Sequence, residues 1–491
     1  ATTLFAQKKV AQKVQELISR NETFPSYSIL SESNLPLSAD IKKTVDKASM
    51  AELQLDVLHQ LMTERKNTIE ITVPYQQKSI TLQMYRADVL AEGFHVDTPT
   101  QRNVGYAPGL YYRGIIKGDQ NSLVAFSFFN DELYGVISAE GIGNIVVAKI
   151  RKQNNTSHYL VYSDAELKIN HNFNCHTRDN AEATTTNAQR PEDALSQKCV
   201  TIYFEIDNDL YQDNNSNSTT TTNWMTAVFN NVQTIYNNDG ITTAIKSIYI
   251  WTTPDPYDGI GSSSSDYLFK FNEVRPVFDG DLGQLVGRDT GGLGGVAVGI
   301  NGICTQDNFS YSDLSIDYET VPVFSWTIEV ITHELGHLMG SPHTHACVWN
   351  GNNTAIDGCG PTANSDFTEG NCDTGPLPTN STGGTIMSYC HLLGIGINFS
   401  NGFGPQPAAR ILGKINAGTC LSSDCINTCI NTVSSISTTN VTSGTAQITW
   451  VDNSGTTNWQ VAVTPFNSTN IVWNNVSTPS YSASGLSSNE Y

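Results

Sequence analysis

The stretch His333-Glu334-Leu335-Gly336-His337-Leu338-Met339-Gly340-Ser341-Pro342-His343 decides how this 491-residue chain is read. It closes an apolar segment that predicts one long helix from about Val321 to Met339. His333 and His337, at i and i+4, therefore share a helix face, and their imidazoles can converge on one ion. Gly340 lets the chain leave the helix in a conformation other residues avoid, so that His343 can swing back as a third ligand. Three neutral nitrogens leave one tetrahedral position open to water, which marks a catalytic rather than a structural zinc site. Glu334, beside the first ligand, is placed to take a proton from that water. With average residue usage, HExxH alone arises by chance in roughly one or two of a hundred chains of this length, and the added Gly and His cut that about a thousandfold. A core histidine pair is therefore the weaker reading.

Working outward, the sequence divides into three expected segments. Residues 1–197 open with helical patterns (Val10, Val14, Leu17; Leu53, Val57, Leu61) and continue into period-two strands such as Ile69 to Tyr75 and Ile80 to Tyr85, an α+β domain of its own. The polar stretch Asn170 to Gln197 reads as an exposed linker open to proteases. Residues 198–429 begin with VTIYFEID and alternate strands and helices (Trp224, Val228, Val232, Ile235; then KSIYIWT), which implies an α/β domain with a mainly parallel sheet and the long active-site helix. Beyond that helix the chain is rich in Gly, Asn and Cys and needs disulfides or a metal to hold it. Residues 430–491 alternate as in AQITW and WQVAV between turn residues, which predicts part of a β-sandwich.

Composition excludes several partners. With 27 Lys+Arg against 47 Asp+Glu and a formal net charge of -20, the chain's own field repels nucleic acid and anionic lipid. No apolar run reaches the length of a bilayer span. Ten cysteines, eight of them between Cys304 and Cys429, fit disulfides in an oxidising compartment, and export is the expectation. Ala1–Gln7 fits the tail of a removed or incomplete signal peptide. A monomer acting on protein or peptide substrates is expected.

The full HExxHxxGxxH pattern resembles the metzincin signature, and the resemblance implies a Met-turn, which Thr385-Ile386-Met387-Ser388-Tyr389 supplies. Met387 would then lie beneath the zinc without binding it; a Met in a loop is otherwise simple packing. Among metzincins the chain resembles the reprolysin (adamalysin) group in its bacterial secreted form. Tyr111 to Gly118 and the following SLVAFSFFNDELYGVI look like its prodomain, while IYIWTTPD, DLGQL and GGVAVGINGIC look like successive elements of its catalytic domain. The resemblance implies a secreted zinc endopeptidase made as a latent proenzyme. The rival reading is an inactive metzincin-fold adhesin, which loss of Glu334 or a histidine would have favoured.

By the same resemblance Gly295, Val296 and Ala297 form the edge strand that pairs with an extended substrate, or else an ordinary sheet edge. Glu205 and Asp281 match positions that bind a structural calcium, or are solvated carboxylates. Tyr389 stands where astacins and serralysins have a tyrosine that ligates zinc or stabilises the oxyanion. Thr344 departs from the reprolysin pattern, which has Asp after the third ligand, so the contact made by that Asp needs a replacement. Cys175 is either the latch of the proenzyme, its thiolate on the zinc, or a disulfide partner of Cys199. Residues 430–491 resemble a partial fibronectin type III module, with Trp450 on an inner strand face and Leu486 to Tyr491 approaching a tyrosine corner.

Overall fold

A computed structural model describes residues 8–152, 154–168, 175–177, 195–288, 294–314, 321, 323–423, 425–426, 434–451, 459–465 and 474–487. The central linker stretch, Cys429 and the expected tyrosine corner at Tyr491 lie outside the described residues. The chain divides into two compact units, Ala1–Ile426 and Asn427–Tyr491.

In the larger unit, residues up to 168 build a ten-stranded sheet. Thr68–Tyr75 and Lys78–Ala87 form an antiparallel hairpin, whose turn residues Gln76 and Gln77 both have positive φ, at 49° and 60°. That is the twist a two-residue hairpin turn requires. Both faces of the middle strands are buried: Leu110, Tyr112, Val124, Phe126 and Ile137 pack into one core with Leu58 and Leu61, while Tyr111, Leu123 and Val136 pack into the other. This two-sided burial is why Leu123–Phe128 is apolar almost throughout rather than alternating. The helix pattern expected from Leu53 starts later, at Leu55, because Leu53 ends the strand Ser49–Leu53 and pairs with Leu30.

The second sheet has six strands in the order Gly295–Ala297, Phe309–Asp313, Leu282–Gly287, Cys199–Ile206, Thr242–Ile250 and Leu90–Asp97. Only Gly295–Ala297 runs antiparallel to its neighbour; the other pairings are parallel. The last strand comes from the first segment, so that segment is not the self-contained domain its pattern suggested. Between the two sheets lies the helix Ser218–Asn238, buried on nearly every side. Its N-terminus is capped by Asn217, whose side chain accepts from the Thr220 N–H. The active-site helix, Phe324–Leu338, is buried along its whole length.

Disulfides tie down the loops that periodicity could not place. Cys347 pairs with Cys372, Cys359 with Cys390, Cys304 with Cys420, and Cys199 with Cys425. Cys199 is thus not the partner of Cys175, which is free and buried. In the smaller unit, Ser434–Thr439, Thr445–Val451 and Ser480–Ser484 form one antiparallel sheet, and Trp459–Val461 pairs with Asn474–Val476. Trp450 is buried and packs edge-on against Trp459 at 6.1 Å. Among the described residues, no helix is long and apolar enough to cross a membrane.

Candidate active site

Helical spacing brings His333 and His337 together with Nε2 atoms 3.1 Å apart, and His343 Nε2 also lies 3.1 Å from that of His337. The return of His343 depends on Gly340, whose φ of +106° suits glycine and whose missing Cβ would meet Lys414 Cγ at 2.7 Å. Each imidazole is oriented from behind. His333 Nδ1 donates to Ile386 O at 2.8 Å, His337 Nδ1 to Ser341 O at 2.7 Å, and His343 Nδ1 to a Glu369 carboxylate oxygen at 2.6 Å. With Nδ1 protonated in all three, each Nε2 offers a lone pair to the same point. Burial holds His333 and His337 well below the usual histidine range, so both present neutral imidazoles, the form a metal needs.

This donor set fits zinc. A tetrahedral ion with Zn–N bonds of about 2.0–2.1 Å separates its nitrogens by about 3.3 Å, close to the observed spacing. The three histidines and Cys175 form one buried group whose ligand atoms all lie within 4.8 Å of one another. When bound there, zinc would supply Lewis acidity to the substrate carbonyl and to water.

Glu334 is completely buried. Burial pushes its carboxyl up to about 8, although Cys175 and Thr177 draw it down. Thr177 Oγ1 lies 3.3 Å from Glu334 Oε2, and Cys175 Sγ lies 3.8 Å from the same oxygen and 3.4 Å from His337 Nε2. Residues 175–177 run along the edge strand: the His176 N–H donates to Gly295 O at 3.2 Å, and the Ala297 N–H donates to Thr177 Oγ1 at 2.8 Å. The Tyr389 hydroxyl donates to the carbonyl of Cys175 at 3.1 Å, and its ring packs edge-on to His343.

Met387 sits directly under the helix. A Cβ on Gly336 would meet Met387 Sδ at 2.7 Å and Phe403 Cε1 at 2.8 Å, so the helix can rest on the Met-turn only with glycine there. At the position where the reprolysin pattern has Asp, the Thr344 N–H and hydroxyl both donate to Met387 O, at 3.0 and 3.2 Å.

Two features depart from the sequence reading. Glu205 and Asp281 are not arranged as calcium ligands. The Glu205 carboxylate is fully buried and accepts from Tyr203, Trp251, Tyr257 and Arg275 at 2.5–2.7 Å. Its lone pairs are taken by donors and its charge is met by a guanidinium, which leaves nothing for a cation. Asp281 is turned to the Thr201 N–H and hydroxyl, at 2.8 and 2.7 Å. Neither belongs to a cluster of three potential ligands among the described residues.

The second departure is Glu369, which sequence reasoning did not single out. Burial would raise its pKa, but His343 and His345 outweigh that and hold the carboxylate well below its usual range. The signal available was its position three residues before Cys372, whose disulfide to Cys347 returns the loop to the segment after the helix Phe324–Leu338 that carries His343.

The model of metallo-peptidase family M12, in its reprolysin form, matches residues 196–394. Among solved structures, metalloproteinase-II from Bacteroides fragilis is similar at 12% identity over 59% of this chain and 87% of that one, with a TM-score of 0.32. A chaperone–substrate complex is matched at 8% identity over 71% of this chain and 57% of that one, with a TM-score of 0.24.

Proposed function

Starting from a zinc metalloendopeptidase, which the family match and the three-histidine centre make this chain, we propose that it is a secreted proenzyme. Its prosegment, residues 1–197, would keep the catalytic domain, residues 198–429, latent through Cys175, and its substrates would be extracellular proteins. The four disulfides among the described residues favour an oxidising compartment. Residues 430–491 fit a partial fibronectin type III module serving as a spacer or surface adaptor.

The observation that carries the reading is the seating of residues 175–177. Cys175 Sγ points at the convergence of the histidine nitrogens, in the place where water is needed, and Thr177 covers Glu334. Burial and the neighbouring Glu334 push the free thiol's pKa up, whereas a coordinating thiol is deprotonated outright by its cation.

With the prosegment gone, an extended peptide takes its place along Gly295, Val296 and Ala297 by main-chain pairing. Glu334 accepts the proton of the attacking water and later returns it to the leaving amine. Tyr389, which already donates to a main-chain carbonyl in the site, is positioned to donate to the oxyanion. The histidine set and Glu334 are intact, so an inactive adhesin has no observation in its favour.

The test compares the intact chain with its Cys175→Ser variant on a peptide library, with and without a zinc chelator, alongside thiol alkylation of the parent. Chelator-sensitive cleavage by the variant before any processing, and an unpaired Cys175, are expected. A variant as inert as the parent, or a disulfide at Cys175, would overturn the latch.

A further inference from the structure

The prosegment holds both edges of the catalytic sheet, and both contacts lie on the same side of the linker. At the substrate edge, residues 175–177 lie along Gly295–Ala297. At the opposite edge, Leu90–Asp97 is the sixth strand, paired in parallel with Thr242–Ile250 through Ile245 and Leu90, Ser247 and His95, Ile248 and Val96, and Tyr249 and Asp97. That strand is fastened from two directions. The Ile245 N–H donates to Val89 O at 2.9 Å, Lys246 Nζ donates to Glu92 O at 2.6 Å, and the Glu92 N–H donates to Cys425 O at 3.0 Å.

Between the two edges, the helix Ser218–Asn238 binds the ten-stranded sheet with polar side chains. Asn230 Nδ2 donates to Phe126 O at 2.9 Å and lies 3.1 Å from Ser127 Oγ; Gln233 Nε2 donates to Asp88 O at 3.0 Å and Gln233 accepts from the buried Arg113. Further along, Asn144 Nδ2 donates to Ile397 O at 2.6 Å and Asn398 Nδ2 to Ala139 O at 3.1 Å. The same seam is also apolar, since Tyr111, Leu123 and Val136 share one core with Val228 and Val232 of that helix, and burial of such surface holds two fragments together without a covalent link.

We propose that residues 8–177 are a strand-donating partner of the catalytic domain that stays docked after the linker is cut. A cut anywhere from residue 178 to 194 leaves the donated strand, the sheet against the helix and Cys175 on one fragment, so scission alone breaks none of these contacts. Activation then requires destruction of the prosegment rather than its severance. The proposal rests on the latent-proenzyme reading only for its consequence for activity; the docking itself does not.

The test places a site-specific protease sequence within residues 181–190 of the full chain, in a Glu334→Ala background that prevents self-digestion. After nicking, native size-exclusion chromatography at physiological salt is expected to give one peak containing both fragments. Glu92→Pro, which removes the N–H given to Cys425, and Asn230→Ala, on the catalytic side, are each expected to raise the fragments' dissociation constant about tenfold or more. Melting curves of the unnicked variants establish that each is folded, and either one suffices. Separation of the fragments on nicking, or folded variants that hold them as tightly as the parent, would overturn the proposal. Co-elution together with full peptidase activity in a nicked chain that retains Glu334 would instead sink the latency reading and leave docking standing.

Discussion

Replacing Glu369 tests how much of the zinc centre is set by what stands behind the ligands. Its carboxylate accepts from His343 Nδ1 at 2.6 Å, a charge-assisted bond about twice as strong as a neutral one. Of the three orienting acceptors, only this one is a charged side chain; the other two are main-chain carbonyls. Glu369→Gln keeps an acceptor and removes the charge, while Glu369→Ala removes both and frees His343 to rotate. Loss of such a partner typically costs 10- to 100-fold in metal affinity or activity, which is about 1.4–2.7 kcal/mol. The expected order of zinc affinity is parent, then Gln lower by about tenfold, then Ala lower by about 100-fold. Chelator competition measures it, with kcat/KM at saturating zinc read beside it. If both variants bind zinc as the parent does, Glu369 is a bystander and His343 is oriented by its backbone alone.

Gly336→Ala drives a methyl into Met387 and Phe403, and an overpacking loss of about 1–3 kcal/mol is expected by denaturant melting; an unchanged midpoint would mean that the Met-turn yields freely. Arg275→Met strands the buried Glu205 carboxylate, and about 3–5 kcal/mol of stability should be lost. Calcium should not move the melting curve of the parent protein, and a calcium-dependent rise would restore the ion site that the hydrogen bonding of Glu205 argues against.

What could be read from sequence was local. The i, i+4 spacing of His333 and His337 fixes a shared face on any helix, and Gly340 with His343 needs only one turn to follow, so the three ligands and Glu334 stand out within eleven residues. The Met-turn is distant in sequence, and only the family resemblance supplied its place. Glu369 was not legible because its loop has no periodicity; the Cys347–Cys372 disulfide decides its path. Glu205 was misread because a hard carboxylate looks the same in sequence whether it meets calcium or a guanidinium, and Arg275 arrives from a different element. Leu90–Asp97 was not singled out in sequence, and nothing in its own residues reveals which of two sheets it joins. The apolar content of Leu123–Phe128 did carry a signal of two-sided burial, the mark of a sheet with a second layer on its outer face.

The central claim is that Glu334 moves protons at a three-histidine zinc centre and does not bind the metal. It is tested most directly by Glu334→Ala in the protein after removal of the proposed prosegment, with zinc content and peptide cleavage measured on the same sample. The account predicts one zinc per chain, as in the parent, and turnover lowered by about 10²- to 10⁴-fold. Parental turnover in the variant would contradict it, as would loss of zinc in step with loss of activity.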